Sequence, residues 1–234
     1  MTSIADQSTA ELGGPFSVLT RQRRDHERLD ALLRELDASP VGTPQEDVLH
    51  RIARLVFPHA FAEESVLWPV LRRRLPDGEA LTLQVEQEHQ EVNELWTRLE
   101  QTLPTSAERR TLVERLIEVL RQDVRDEEDE LLPRLQATVS AHELQLLGLA
   151  WETVRRTAPT RPHPVVSRRP PGNALAALPL TVIDRTRDVL DAGARRSPGM
   201  HDRLVRASHG LAAAAGRVER VGVLRHGEDP STSR

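Results

Sequence analysis

The chain has 234 residues and a formal net charge of −4, with 29% charged residues and only 3% aromatic ones. It has no cysteine, which excludes a disulfide framework, a thiolate metal site and a cysteine nucleophile, and no apolar run of about 18 residues offers a membrane span. All 32 basic residues are arginine, so Schiff-base chemistry and the P-loop lysine are excluded too.

The charge is uneven. Residues 158–234 carry 13 arginines against seven carboxylates, which leaves the first 157 residues strongly acidic. An acidic body argues against nucleic acid as a partner, while a basic tail leaves room for an acidic protein partner. The N-terminus M-T-S-I-A-D-Q lacks the length of apolar residues a secretory signal needs, so a cytoplasmic setting is expected.

Residues 1–15 are polar, end in Gly13-Gly14-Pro15 and read as a flexible lead-in. From Phe16 to about Asp37, Leu19, Leu29, Leu33 and Leu36 form one stripe with His26 in phase. A second helix is expected from Thr43 to Leu75, with Thr43 as N-cap, Pro44 at the first position and Glu46 closing a capping box. Its stripe runs Val48, Ile52, Leu55, His59, Glu63, Val66 and Val70, with bends expected at Pro58 and Pro69. A third helix, about 79–103, aligns Leu81, Val85, His89, Val92, Trp96 and Leu99. A fourth, about 107–138, aligns Leu112, Leu116, Val119, Asp123 and Glu127. A fifth follows from Ala141 with Ser140 and Glu143 as a capping box and Trp151 on its apolar side. Short connections imply an all-α, up-down-up-down antiparallel four-helix bundle over residues 16–157. Residues 158–234 read as a Pro/Arg-rich, partly disordered tail with weak helical patches at 181–191 and 201–221.

One segment occurs twice. H-A-F-A-E-E-S-V-L-W-P at residues 59–69 matches D-V-R-D-E-E-D-E-L-L-P at 123–133: Glu63-Glu64 falls on Glu127-Glu128, Leu67 on Leu131 and Pro69 on Pro133. Each copy follows a histidine, His26 or His89, by 33 or 34 residues. His59 is answered by Asp123.

His26, His59, Glu63, His89, Asp123 and Glu127 all stand in apolar stripes, where an unpaired ionisable group is costly. Four-residue spacing puts His59 with Glu63, and Asp123 with Glu127, on one helical face. Imidazole and carboxylate without sulfur suit iron, manganese or zinc, and two glutamates able to bridge suit a dinuclear centre. Asp25, Glu64, Glu88 and Glu128 adjoin these groups but rotate off the interior face, as outer partners or solvated residues. Trp68, Trp96 and Phe61 are expected in the core and His50 in water; His142, His163, His201, His209 and His226 are given no role.

The pattern resembles the hemerythrin-like, or HHE cation-binding, family. The resemblance rests on Asp25-His26, the H-x-x-x-E-E at His59–Glu64, Glu88-His89 and the E-E-x-x-L-x-P-type repeats, and spans residues 16–157. It implies a four-helix bundle holding a non-haem di-iron centre (two iron ions, oxo- or hydroxo-bridged, ahead of manganese or zinc). His26, His59, Glu63, His89 and Glu127 take ligand places, and Asp123 stands where the family usually has a histidine. The implied role is binding or sensing oxygen, peroxide or nitric oxide, iron sequestration, or redox-stress defence, with any enzyme activity of the peroxide or nitric oxide type. Oxygen transport is disfavoured, because the oxygen carriers use more histidines. The Asp123 departure leaves an asymmetric di-iron site, a single metal beside His59, or a lapsed site, the last fitting an interaction or regulatory bundle. Walker, G-x-S-x-G, G-x-G-x-x-G and H-E-x-x-H patterns are absent, as are the Glu-x-x-His pairs of ferritin-type bundles.

Overall fold

A computed structural model describes residues 1–225 and 229–232; His226 lies outside them. Among the described residues the chain is helical, without strands. The helices are α1 (Val18–Ala38), α2 (Thr43–Ala62), α3 (Trp68–Arg74), α4 (Gly78–Gln101), α5 (Ala107–Asp126), α6 (Leu132–Thr138), α7 (Ala141–Thr157), α8 (Gly172–Arg196) and α9 (His201–Val218). Helix α1 packs on α2 and α7, α3 and α5 pack on α4, and α8 pairs with α9.

The two long helices expected over 43–75 and 107–138 are each interrupted. Residues Glu63–Leu67 and Glu127–Leu131 form π-helical turns, in which Trp68 N–H donates to Glu63 O and Leu132 N–H to Glu127 O. Pro69 and Pro133 follow directly. A proline has no N–H to give the carbonyl four residues back, and its ring pushes that carbonyl away. Ser65 and Asp129 occupy those positions, inside the two turns, so the repeated E-E-x-x-L-x-P writes the same irregularity into both helices. The extra residue shifts the phase of the helix beyond it. Val66 and Val70, expected in the stripe, are only partly buried, while Leu67, Trp68 and Leu71 enter the core. Pro58 lies within α2 itself.

The apolar core is in two parts. One contains Leu29 to Leu36, Val48 to Phe57, Val92 to Leu99 and Leu112 to Leu120. The other contains Leu19, Leu67, Trp68, Val85, Leu131, Leu135 and Trp151. Along every bundle helix the ligand-type residues fall between these two clusters. The polar layer is therefore closed by apolar packing at both ends.

Three local readings are corrected. The cap of α2 is Gly42, with no side-chain cap, and Glu46 pairs with Arg109 instead of closing a box. Phe61 is only half-buried. Residues 1–15 are not a loose lead-in: Ile4 and Leu12 are fully buried, and Ser3 Oγ donates to Glu128 O at 3.3 Å. The capping box at Ser140 and Glu143 forms as expected. Gly148 allows α7 to press on the backbone before α1, since a Cβ there would stand 2.1 Å from Phe16 O.

The tail also packs. Its apolar content is thin, and polar groups hold it. Arg169 and Arg72 both grip the fully buried Glu86, at 2.8 and 2.6 Å. His163 N–H donates to Asn93 Oδ1 (3.0 Å), and its ring lies between Asp184 (3.0 Å) and Glu219 (2.8 Å). Arg161 pairs with Asp188 and Asp191. Arg169 thus ties the tail to a buried acid of the bundle, while His163 and Arg161 pair with carboxylates of the tail itself. Burial works against protonation of His163, but Asp184 and Glu219 outweigh it and raise its pKa to about 9.

A group whose folded pKa is raised stabilises the fold fully below its unfolded value of about 6.5 and ceases to do so as pH passes the folded value. His163→Ala is expected to cost on the order of 3 kcal/mol near pH 6, read by urea unfolding. The deficit should shrink as pH rises through about 9. A deficit constant across that range would show that charge pairing is not what His163 contributes.

Candidate metal centre

Each bundle helix brings its ligand-type group to the layer between the two cores. Helix α1 supplies His26, α2 His59, α4 His89 and α5 Asp123; the π turns supply Glu63 and Glu127. All six are buried, Glu63 completely. The structure thus brings together every ligand candidate expected from the sequence. The atoms of His26, His59, Glu63 and Glu127 lie within 4.8 Å of one another, as do those of His89, Asp123 and Glu127.

The glutamates face both groups. Glu63 Oε1 is 2.9 Å from His59 Nε2, and its Oε2 is 3.7 Å from His89 Nε2. Glu127 Oε2 is 3.2 Å from His26 Nε2, and its Oε1 is 3.7 Å from His89 Nε2. Asp123 Oδ1 is 3.4 Å from His89 Nε2, and His26 Nε2 is 3.3 Å from His59 Nε2. Although these distances are short, both Glu63 oxygens, Glu127 Oε1 and Asp123 Oδ1 are buried without an aligned hydrogen bond. Imidazole nitrogens and orphaned carboxylate oxygens converging on one volume are a donor set that fits divalent metal.

Each histidine is oriented from behind. Nδ1 of His26 meets Glu128 (2.9 Å), Nδ1 of His59 meets Asp25 (3.2 Å), and Nδ1 of His89 meets Glu64 (2.9 Å). This leaves every Nε2 pointing inward, the arrangement that fixes ring angle and tautomer at metal sites. The pairing is two-fold-like, since Glu128 of the second repeat holds the histidine of the first and Glu64 the reverse. Glu64, expected off the interior face, is buried beside Glu63 in the first π turn. Asp25 holds His59 within its half, and Glu88, its counterpart, meets Asp123 and Asp126 instead. Burial, then Asp123 and Asp126, raise Glu88 to about 8.

Further residues surround the site, among them two tryptophans expected on apolar faces. The Trp151 ring meets His59 edge-on at 5.3 Å and carries Arg155 over its other side at 5.2 Å. Trp68 stacks near His89 at 6.4 Å. Arg155 is 3.7 Å from Asp25, and the α8 residue Asn173 donates to Ser65 Oγ in the first π turn. Only contacts between distant segments disclose these roles. Elsewhere, His50 is half-buried beside Asp188 (3.9 Å), where water was expected. His142, His201 and His209 are exposed.

Within this layer the histidines and carboxylates shift one another's protonation. Burial opposes the charge on His26, but Glu127 and Glu128 raise it to about 9. His59 and His89 are likewise held well above the usual histidine range, by Glu63 with Asp25 and by Asp123 with Glu127, against burial. Burial, then Glu127, push Glu63 up to about 7; the same burial is overcome at Glu127 by His26 and His89, which bring it down to about 2.

The hemerythrin HHE cation-binding domain model matches residues 17–135. That span is half of the chain and contains all six residues, and the chain belongs to this family. It is 25% identical over 134 residues to an uncharacterized hemerythrin-like protein of Schizosaccharomyces pombe, covering 57% of this chain and 66% of that one. It is also 25% identical over 139 residues to a DNA nickase of Nostoc sp., covering 59% of this chain and 38% of that one. The chain spans less than two thirds of either curated relative. No solved structure matches.

Because imidazole must be neutral to ligate, loading zinc(II) near pH 7 should expel protons, and affinity should rise with pH until the histidines have titrated. Calorimetry in buffers of different ionisation enthalpy reads both; an affinity independent of pH would exclude histidine ligation. Glu64→Gln or Glu128→Gln should weaken metal binding by about 10- to 100-fold while helicity is kept.

Proposed function

We propose that the buried cluster holds two metal ions, iron by preference, and that the protein binds, senses or reacts with oxygen, peroxide or nitric oxide. One observation supports the dinuclear reading above the others: Glu63 and Glu127 each present one oxygen to the His26–His59 group and the other to His89. Carboxylates so placed are bridges in this reading. His26 and His59 serve one metal position, His89 and Asp123 the other. A bound redox-active metal would supply electrons and an open coordination position for a small oxidant.

The chain's own residues would do the rest. Glu128, Asp25 and Glu64 hold the imidazoles at fixed angles. Trp151, Trp68 and the two apolar clusters keep bulk water away and lower the local dielectric, which strengthens every charge interaction in the layer. Asp123, in place of a second histidine in its half, adds negative charge beside His89. That asymmetry favours the more oxidised state of the position it serves and makes the two positions unequal. Sensing, sequestration and oxidant removal share this chemistry, and the family resemblance fits all three.

Elemental analysis of protein expressed with iron should find two metals per chain and an absorption band that changes on exposure to air. Glu63→Ala or Glu127→Ala should leave at most one metal. Two metals retained in either variant would contradict bridging, and a folded wild-type protein that takes up no iron under reducing conditions would refute the metal reading itself.

A further inference from the structure

We propose that an arginine-lined groove between the bundle and the tail helices binds a short chain of linked phosphates, inorganic or carried on a nucleoside. The groove encloses about 620 Å³. Helix α1 contributes Arg28 and α2 contributes Arg51 and Arg54. The facing wall is Arg155 and Arg156 at the end of α7, with Arg185 and Arg195 from α8. Asp47 is the one carboxylate in the lining.

Neighbouring acids offset this charge only in part. Arg51 meets Glu35, and Arg155 and Arg156 share Glu152. Arg54 and Arg195 have only distant contacts, 3.8 Å to Asp188 and to Asp47. Among the described residues no carboxylate lies within ion-pair distance of Arg28 or Arg185. His50, at the base of the groove, registers the excess: burial holds it below the usual histidine range and, although Asp188 opposes this, Arg161, Arg195 and Arg54 add to it. Its Nε2 is buried without a hydrogen-bond partner.

The chemistry selects phosphate. Guanidinium groups match phosphate oxygens in paired hydrogen bonds, and so many cations converging from four helices suit several linked phosphates better than one carboxylate. The volume is that of a small-ligand site. Among the described residues no Phe, Tyr or Trp lines the groove, so it lacks the large aromatic platforms on which nucleic-acid bases stack. The chain is also net negative at −4, so a long polyanion leaving the groove would meet repulsion. One wall reaches the metal centre, because Arg155 lies 3.7 Å from Asp25, the partner of His59.

The test is equilibrium dialysis of the full chain, with its metals counted on both sides of the membrane, against inorganic tripolyphosphate, adenosine triphosphate and duplex DNA. A single tripolyphosphate should be retained, less tightly as salt rises. Arg28→Glu with Arg185→Glu should weaken retention about tenfold or more, with circular dichroism and metal content unchanged. Arg110→Glu with Arg203→Glu, an equal change of charge at exposed positions outside the groove, should leave it as it was. Equal retention of the two small probes would assign recognition to the phosphate chain, and tighter retention of adenosine triphosphate to a nucleotide; both uphold the site. No retention, equal loss in both double variants, or preference for duplex DNA would overturn it.

Discussion

The rest of the structure depends on the burial of Glu63 and Glu127 side by side between two apolar cores. Two carboxylates in a dry layer repel each other and lose their hydration, a cost of several kcal/mol per charge unless cations answer it. Three histidines face the pair from three helices, and the carboxylates hold all three above the usual histidine range. The cluster is therefore a buried layer in which imidazole nitrogens and carboxylate oxygens face one another between two apolar cores.

The π turns make this layer possible. Both glutamates of each E-E pair lie in such a turn. With the wider turn, Glu63 and Glu127 face the histidine Nε2 atoms while Glu64 and Glu128 reach behind to Nδ1. One irregularity, written twice by a proline six residues beyond the first glutamate, thus supplies both the inner carboxylates and two of the three that orient the rings. The half that has Asp123 in place of a histidine also loses the partner its outer acid would have had, and burial with Asp123 and Asp126 raises the Glu88 pKa to about 8.

The segments outside the bundle complete the enclosure. The N-terminal residues cover the second π turn through Ser3, and α8 covers the first through Asn173. Helix α7 sets Trp151 against His59. The tail is held by buried polar pairs more than by apolar area, which is why it coheres despite thin hydrophobic content. The same arrangement brings its arginines beside those of α2 and α7, creating a cationic surface on a chain whose net charge is negative.

The bundle helices, their apolar stripes as far as the π turns and the inward phase of all six ligand candidates were legible in the sequence, because a 3.6-residue period reports directly which residues share a face, and a histidine or carboxylate on an apolar face is conspicuous. The repeat disclosed the pairing of the two halves. The phase after Glu63, the inward turn of Glu64, the burial of Ile4 and Leu12, and the contacts of the tail were not legible. Each depends on contacts between segments far apart in the chain, or on a break in the period from which faces were read. By itself the sequence determined a helical, cysteine-free, His- and Glu-bearing bundle. Only the tertiary structure decided that each glutamate faces two groups, that three acids stand behind three histidines, and that the tail closes over them, because those facts are distances between helices and no local pattern encodes a distance.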